Sequence, residues 1–140
     1  MSLFLRLIEE NSYDWAIQLL QKKGNQVANA QNKYEATALM LATELKPVSK
    51  ALELIDALMD AGASMDTSKY QYYGPVFLFA CRRGVDPAIF DKLIMWDSIR
   101  ENLFQDWWSK CDRNRNGVFV LACESQNISL VGHILSLAFT

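Results

Sequence analysis

The chain has 140 residues and a net charge of −2, with 51% apolar and 21% charged residues. One domain of this length can bury a sizeable core, and the near-neutral charge excludes a general electrostatic grip on nucleic acid or anionic membrane. Residues 1–8 lack the basic start of a signal peptide. Residues 125–140, the longest stretch without Lys, Arg, Asp or Glu, are too polar for a membrane span. We therefore expect a soluble cytoplasmic protein without nucleic-acid or membrane partners.

The three cysteines, Cys81, Cys111 and Cys123, are odd in number and widely spaced. This pattern favours reduced thiols in a reducing compartment over a disulfide framework. Cys81 and Cys123 each follow an alanine at the end of a similar apolar segment. We therefore predict that both are small, buried core residues.

The first half of the chain predicts four helices. Residues 3–11 form a first helix with Arg6 and Glu9 on a polar outer face, and Ser12 caps a second helix that stops at Gly24. A third, short helix covers residues 36–42. The fourth covers residues 51–61; Pro47 is placed to begin it and Gly62 ends it.

The second half predicts two further helix pairs. Gly74-Pro75 opens a helix, and Asp86-Pro87 opens the helix paired with it. At the end of this second helix, Asp97-Ser98 stands in place of a Gly-Ala stop. Residues 117–123 begin the last pair, which ends in a helix that is apolar on nearly every side. The segments 76–79 and 118–121 also suit short β-strands, but their shared Ala-Cys ending and the capped helices that follow favour helices.

The segment 36–42, Ala-Thr-Ala-Leu-Met-Leu-Ala, resembles the Thr-Pro-Leu-His-x-Ala opening of an ankyrin repeat, with Ala38 and Met40 at the Pro and His positions. Residues 127–135 are similar to the Gly-His-Leu-Glu-Ile-Val-Lys-Leu-Leu helix of that family. The resemblance implies an all-α solenoid of three and a half to four stacked helix-turn-helix pairs. It implies a single domain, 1–140, with units at about 1–31, 32–67, 68–111 and 112–140. Equivalent positions lie further apart than the family period of about 33, so the loops are longer. A generic helical bundle is the structural alternative.

In ankyrin-like proteins the hairpin tips and the inner helices hold a partner protein, so the resemblance implies a protein-interaction module. Carried over by position, Glu44, Arg82, Arg83 and Glu124 would lie at the exposed ends of the inner helices. The predicted partner-binding residues are Tyr34, Glu35, Tyr70, Tyr72, Arg82, Arg83, Arg113 and Arg115. Tyr, Trp and Arg are enriched in binding hot spots, although the aromatic residues could equally fill gaps under the long loops.

We predict no metal, no cofactor and no enzymatic activity. Residues 112–117 resemble the start of an EF-hand loop, but Cys123 stands where a bidentate Glu is needed. A small enzyme using Cys111 or His133 is a weaker alternative, and it predicts that a mild alkylating reagent labels Cys111. A structural alternative is a homodimer, or packing against a longer parent protein, through the apolar C-terminal helix. The partner's identity stays open, as does a host-cell cytosol location if the chain is a pathogen effector.

Overall fold

The computed structural model describes residues 3–32, 36–65, 75–100, 102 and 116–138. These residues form eight helices and no strand, which confirms the all-α prediction. The helices are α1 (Leu3–Glu9), α2 (Tyr13–Val27), α3 (Ala38–Ala42), α4 (Val48–Asp60), α5 (Val76–Arg83), α6 (Pro87–Arg100), α7 (Val118–Ser125) and α8 (Ile128–Ala138). The helical prediction for segments 76–79 and 118–121 is therefore correct.

The chain divides into two compact units, residues 1–64 and 65–140. In the first unit, α1 packs on α2 and α3, while α4 packs on α2 and α3. The side chains of Phe4, Ile8, Leu39, Leu54 and Leu58 are fully buried and form much of its core. Each half of this unit is thus a helix pair, and the first helices of the two pairs contact each other, as do the second helices.

Local chemistry explains where α3 and α4 begin and end. The Thr37 hydroxyl accepts a hydrogen bond from the Met40 amide at 3.3 Å, so α3 starts at Ala38 rather than at Ala36. Pro47 stands at the N-cap of α4, and Gly62, with φ of 98°, follows the end of that helix as predicted. The carboxamide of Asn29 then binds this turn, since Nδ2 donates to the Gly62 carbonyl (3.1 Å) and Oδ1 accepts from the Ser64 amide (2.8 Å).

The predicted stop at Gly24 falls on a break in α2. Gly24 interrupts the helical backbone with φ of 17° and ψ of −96°, but the helix resumes and runs to Val27. Ser12 occupies the N-cap position without making a side-chain capping bond. Glycine therefore produced a kink here, because the residues after it still form a turn that closes through the Ala28 amide and the Gly24 carbonyl.

The second unit repeats the packing order of the first. Helix α5 packs on α6 and α7, and α8 packs on α6 and α7. The fully buried residues include Phe77, Leu78, Phe90, Leu93 and Leu130. Each unit thus contains two of the four predicted helix pairs, while the single domain and its repeat boundaries stay predictions.

The predicted stop at Asp97-Ser98 is wrong, because α6 continues through both residues to Arg100. Asp97 is buried rather than lying in a turn. The chain turns at Asn102, whose φ is 51° and whose amide bonds back to the Asp97 carbonyl. A left-handed asparagine thus takes the position that glycine occupies after α4 and α5.

Candidate functional site

Six predicted partner-binding residues lie outside the described part of the chain: Tyr34, Glu35, Tyr70, Tyr72, Arg113 and Arg115. The residues on either side of positions 33–35 are nevertheless joined. Gln31 and Thr37 form an antiparallel β-bridge, and the Asn32 amide donates to the Ala36 carbonyl at 3.0 Å.

The flanks of positions 66–74 are joined in a related way. The Val76 amide, at the first residue of α5, donates to the Met65 carbonyl at 3.0 Å. At the first residue of α3, the Ala38 amide donates to the Ala30 carbonyl at 3.1 Å. The chain therefore returns on itself before α3 and before α5.

Arg82 and Arg83 form the last turn of α5, and both side chains are exposed. The guanidinium carbon of Arg83 lies 5.3 Å from the centroid of the Phe79 ring, within the range of a cation–π contact. The turn between α5 and α6 begins only at Gly84, which has φ of 63°. These two arginines therefore belong to a helix end, where they present positive charge on a helical backbone.

The neighbouring end of α7 carries the opposite charge. Gln126, with φ of 65°, ends α7 in the same way that Gly84 ends α5. Glu124 lies two residues before Gln126 and Arg82 two residues before Gly84, so the two side chains occupy equivalent positions. Glu124 is exposed. In the other unit, Glu44 lies exposed just after α3. The helix ends at which we predicted binding thus offer charged side chains of both signs.

Asn127 joins the turns at these two helix ends, a role that the sequence analysis missed. Its Nδ2 donates to the carbonyls of Gly84 (2.7 Å) and Val85 (3.3 Å), and its Oδ1 accepts from the Leu130 amide (3.2 Å). One side chain therefore caps α8 and holds the turn after α5. An asparagine directly before an apolar helix is a signal for the cap, but nothing in the sequence reveals the second contact.

His133 connects α8 to α6 through Asp91 and Phe90. Its Nε2 lies 2.6 Å from Asp91 Oδ1, and its ring meets the Phe90 ring edge-on at a centroid distance of 6.5 Å. These contacts place the imidazole between two helices as a packing element. Among the described residues, no group of three or more His, Cys, Asp or Glu side chains could hold a metal ion.

The two described cysteines differ in burial, which corrects one prediction. Cys81 is buried, whereas Cys123, predicted to be its equivalent in the core, is exposed. Both lie three residues before the left-handed residue that ends their helix. The two thiols therefore differ in solvent exposure although they occupy the same position relative to their helix ends. Burial raises the pKa of the Cys81 thiol to about 12.

We expect iodoacetamide at about pH 8 to label Cys123 in the folded protein and to label Cys81 only after denaturation. Only the thiolate reacts readily, and burial keeps Cys81 protonated and inaccessible. Peptide mapping by mass spectrometry would measure both sites. Equal labelling of the two cysteines in the native state would contradict this assignment.

An apolar groove runs between α1 and α2. It has a volume of about 240 Å³ and is lined by Leu3, Leu7, Trp15, Gln18, Leu19 and Lys22. Leu3 and Trp15 are each 66% exposed. Arg6 and Glu9 are exposed as expected, and the exposed apolar side chains of this groove were not foreseen from the sequence.

Within the described residues, no helix combines the length and apolar character needed to cross a membrane. Comparison of the chain with protein-family models, curated proteins and solved structures gave no match.

Proposed function

We propose that the chain is a protein-interaction module of the ankyrin kind, a solenoid of stacked helix pairs that holds another protein through turn tips and the ends of its inner helices. The supporting observation is the packing order within each unit. First helices contact first helices, as α1 does α3 and α5 does α7, and second helices contact second helices. Stacked repeats of helix pairs bury a continuous core in this way.

The side chains at the turns agree with a binding role. Arg82, Arg83 and Glu124 are exposed at the ends of α5 and α7, and the Asn127 side chain binds the turn after α5 through the Gly84 carbonyl. Binding residues on a fixed backbone lose less conformational entropy when a partner docks. Arginine is also one of the residue types over-represented at hot spots.

The double variant Arg82→Ala/Arg83→Ala is expected to weaken capture of the partner about tenfold or more, because truncation of an arginine at a binding hot spot lowers the affinity by at least that factor. Binding would be measured by pull-down from cytosolic extract, with quantitative mass spectrometry of the captured proteins. The matched control is Lys23→Ala/Lys46→Ala, which removes two exposed positive charges from the other unit and should leave capture unchanged. The thermal melt followed by circular dichroism should stay the same in both.

The triple variant Tyr70→Ala/Tyr72→Ala/Arg113→Ala extends the same experiment to the turn tips. It should lose the same captured proteins as the Arg82→Ala/Arg83→Ala variant, because one partner would contact both the turn tips and the ends of the inner helices. If both variants capture the same proteins as the wild type, the proposed binding face is wrong.

A structural role for the C-terminal helix is a second candidate, favoured by the exposure of its apolar side chains. Ile128 is 86% exposed, and Leu135 and Leu137 are also well exposed. The terminal unit of a helical repeat protein needs a polar outer face for solubility, so an apolar one favours a partner that covers it. Light scattering of the Ile128→Glu variant tests this candidate, since loss of an oligomer that the wild type forms would support it.

A further inference from the structure

The groove between α1 and α2 has an ordered pattern of apolar and charged residues. Leu3 and Leu7 of α1, and Glu10 directly after its end, follow one another at intervals of four and three residues, so they share one face. Along α2, Trp15, Leu19 and Lys22 have the same spacing. Each helix therefore contributes two apolar residues and then one charged residue to the row.

The charges lie at opposite ends of this groove. Helices joined by so short a connection run antiparallel, which places Lys22 near Leu3 and places Glu10 near Trp15. Lys22 makes no ion pair with any described residue, while Glu10 lies 3.6 Å from Arg6 with both side chains largely exposed. One end of the groove thus carries Lys22, and beyond the other end lies the exposed Glu10 carboxylate, which shares its charge with Arg6.

A second copy of the chain complements this pattern. A two-fold axis across the groove brings the Lys22 end of one copy to the Glu10 end of the other, because a two-fold interface pairs residue i with j and j with i. The same operation brings each exposed Trp15 towards Leu3 and Leu19 of the opposite copy. Both ion pairs and both tryptophan contacts would form together.

We propose that the α1–α2 groove is a homodimer interface, in which Trp15 of each copy packs into the groove of the other and Lys22 pairs with Glu10 across the axis. The groove volume of about 240 Å³ is below the roughly 300–1,000 Å³ typical of small-molecule sites. Tryptophan is among the commonest hot-spot residues. By contrast, α8 has no charged residue, so its apolar face offers no charge pattern to fix the orientation of a partner.

The first test is the mass of the full chain in solution. Sedimentation velocity over a dilution series up to about 100 µM should give a species of twice the 16.0 kDa chain mass. Trp15→Ala should weaken the dimer about 30-fold or more, with an unchanged far-UV circular dichroism spectrum because Trp15 is an exposed side chain. A wild-type protein that is monomeric throughout this range overturns the proposal.

Charge reversal tests the orientation of the two copies. Lys22→Glu and Glu10→Lys should each lower the dimer fraction, and the double variant Lys22→Glu/Glu10→Lys should recover it because both cross-axis pairs are restored with exchanged signs. Absence of this recovery, in variants that remain folded, overturns the proposed pairing.

Ile128→Glu is the matched control, since it adds one acidic group to the exposed apolar face of α8. It should leave the dimer intact. A dimer that dissociates with Ile128→Glu and persists with Trp15→Ala would overturn the proposal in favour of the C-terminal helix. This interface uses none of the residues assigned to partner capture, so either proposal can fail without the other.

Discussion

Replacing Gly84 with alanine is expected to lower the free energy of unfolding by about 3 kcal/mol. Gly84 has φ of 63°, a conformation that side chains with a Cβ atom disfavour. A Cβ at this position would also lie 2.9 Å from Ser125 Cβ and 3.3 Å from Asn127 Cβ. Ser125 is anchored by its bond to the Ala122 carbonyl, so the clash requires backbone movement.

Gly132→Ala is the matched control for this substitution. A Cβ at Gly132 meets no heavy atom within 4 Å, and the residue lies inside α8, where alanine is favoured over glycine by about 1 kcal/mol. The same chemical change should therefore stabilise the protein at one site and destabilise it at the other. Urea denaturation followed by circular dichroism would measure both, and destabilisation at Gly132 as large as that at Gly84 would refute the argument.

Asn127→Ala is expected to cost about 2–3 kcal/mol of unfolding free energy, because it removes a helix cap and two further hydrogen bonds. The lost contacts are those to the Leu130 amide and to the carbonyls of Gly84 and Val85. The two carbonyls would be left without this donor at a partly buried turn.

Asp86→Ala separates the capping contribution from the rest. Among the described residues, Asp86 Oδ1 accepts only a local capping bond, from the Ala88 amide at 2.9 Å, so its removal should cost about 1 kcal/mol. The difference between the two variants in chemical denaturation measures the bonds that Asn127 makes to the turn after α5. If both substitutions cost the same, that contact contributes nothing to stability.

The sequence predicted helix starts and stops where one residue type has a strong local effect. Gly62 reaches positive φ without a steric penalty, and Asp86-Pro87 combines a capping oxygen with a preset φ. These effects act within one turn and need no knowledge of the rest of the fold. Gly24 shows the limit of this reasoning, since the helical backbone breaks there but a further turn of helix follows it to Val27.

Burial was harder to predict because it depends on what packs against a helix. Cys81 and Cys123 occupy matching positions on helices that contact each other, yet only Cys81 is buried. The sequence around them is similarly apolar, so it contains no information about which face is covered. The exposure of Trp15 and Leu3 in one groove was missed for the same reason.

The candidate site was predictable only as a set of positions. Arg82, Arg83 and Glu124 lie exposed at helix ends as expected, because the helix boundaries there follow from local signals. The contact between Asn127 and the turn after α5 spans more than forty residues along the chain. No local pattern encodes such a contact, so it could be found only from coordinates.

The packing order within each unit also has a consequence for how the chain folds. The helix contacts of a unit join helices that are adjacent or next-but-one in the chain, and the Asn29–Ser64 bond of the first unit spans only 35 residues. Topologies with such local contacts close small loops and fold rapidly, on a scale of about microseconds to milliseconds. Domains generally fold as units during synthesis, the N-terminal one first. Residues 1–64 can therefore gain their native contacts while the ribosome is still adding the second unit.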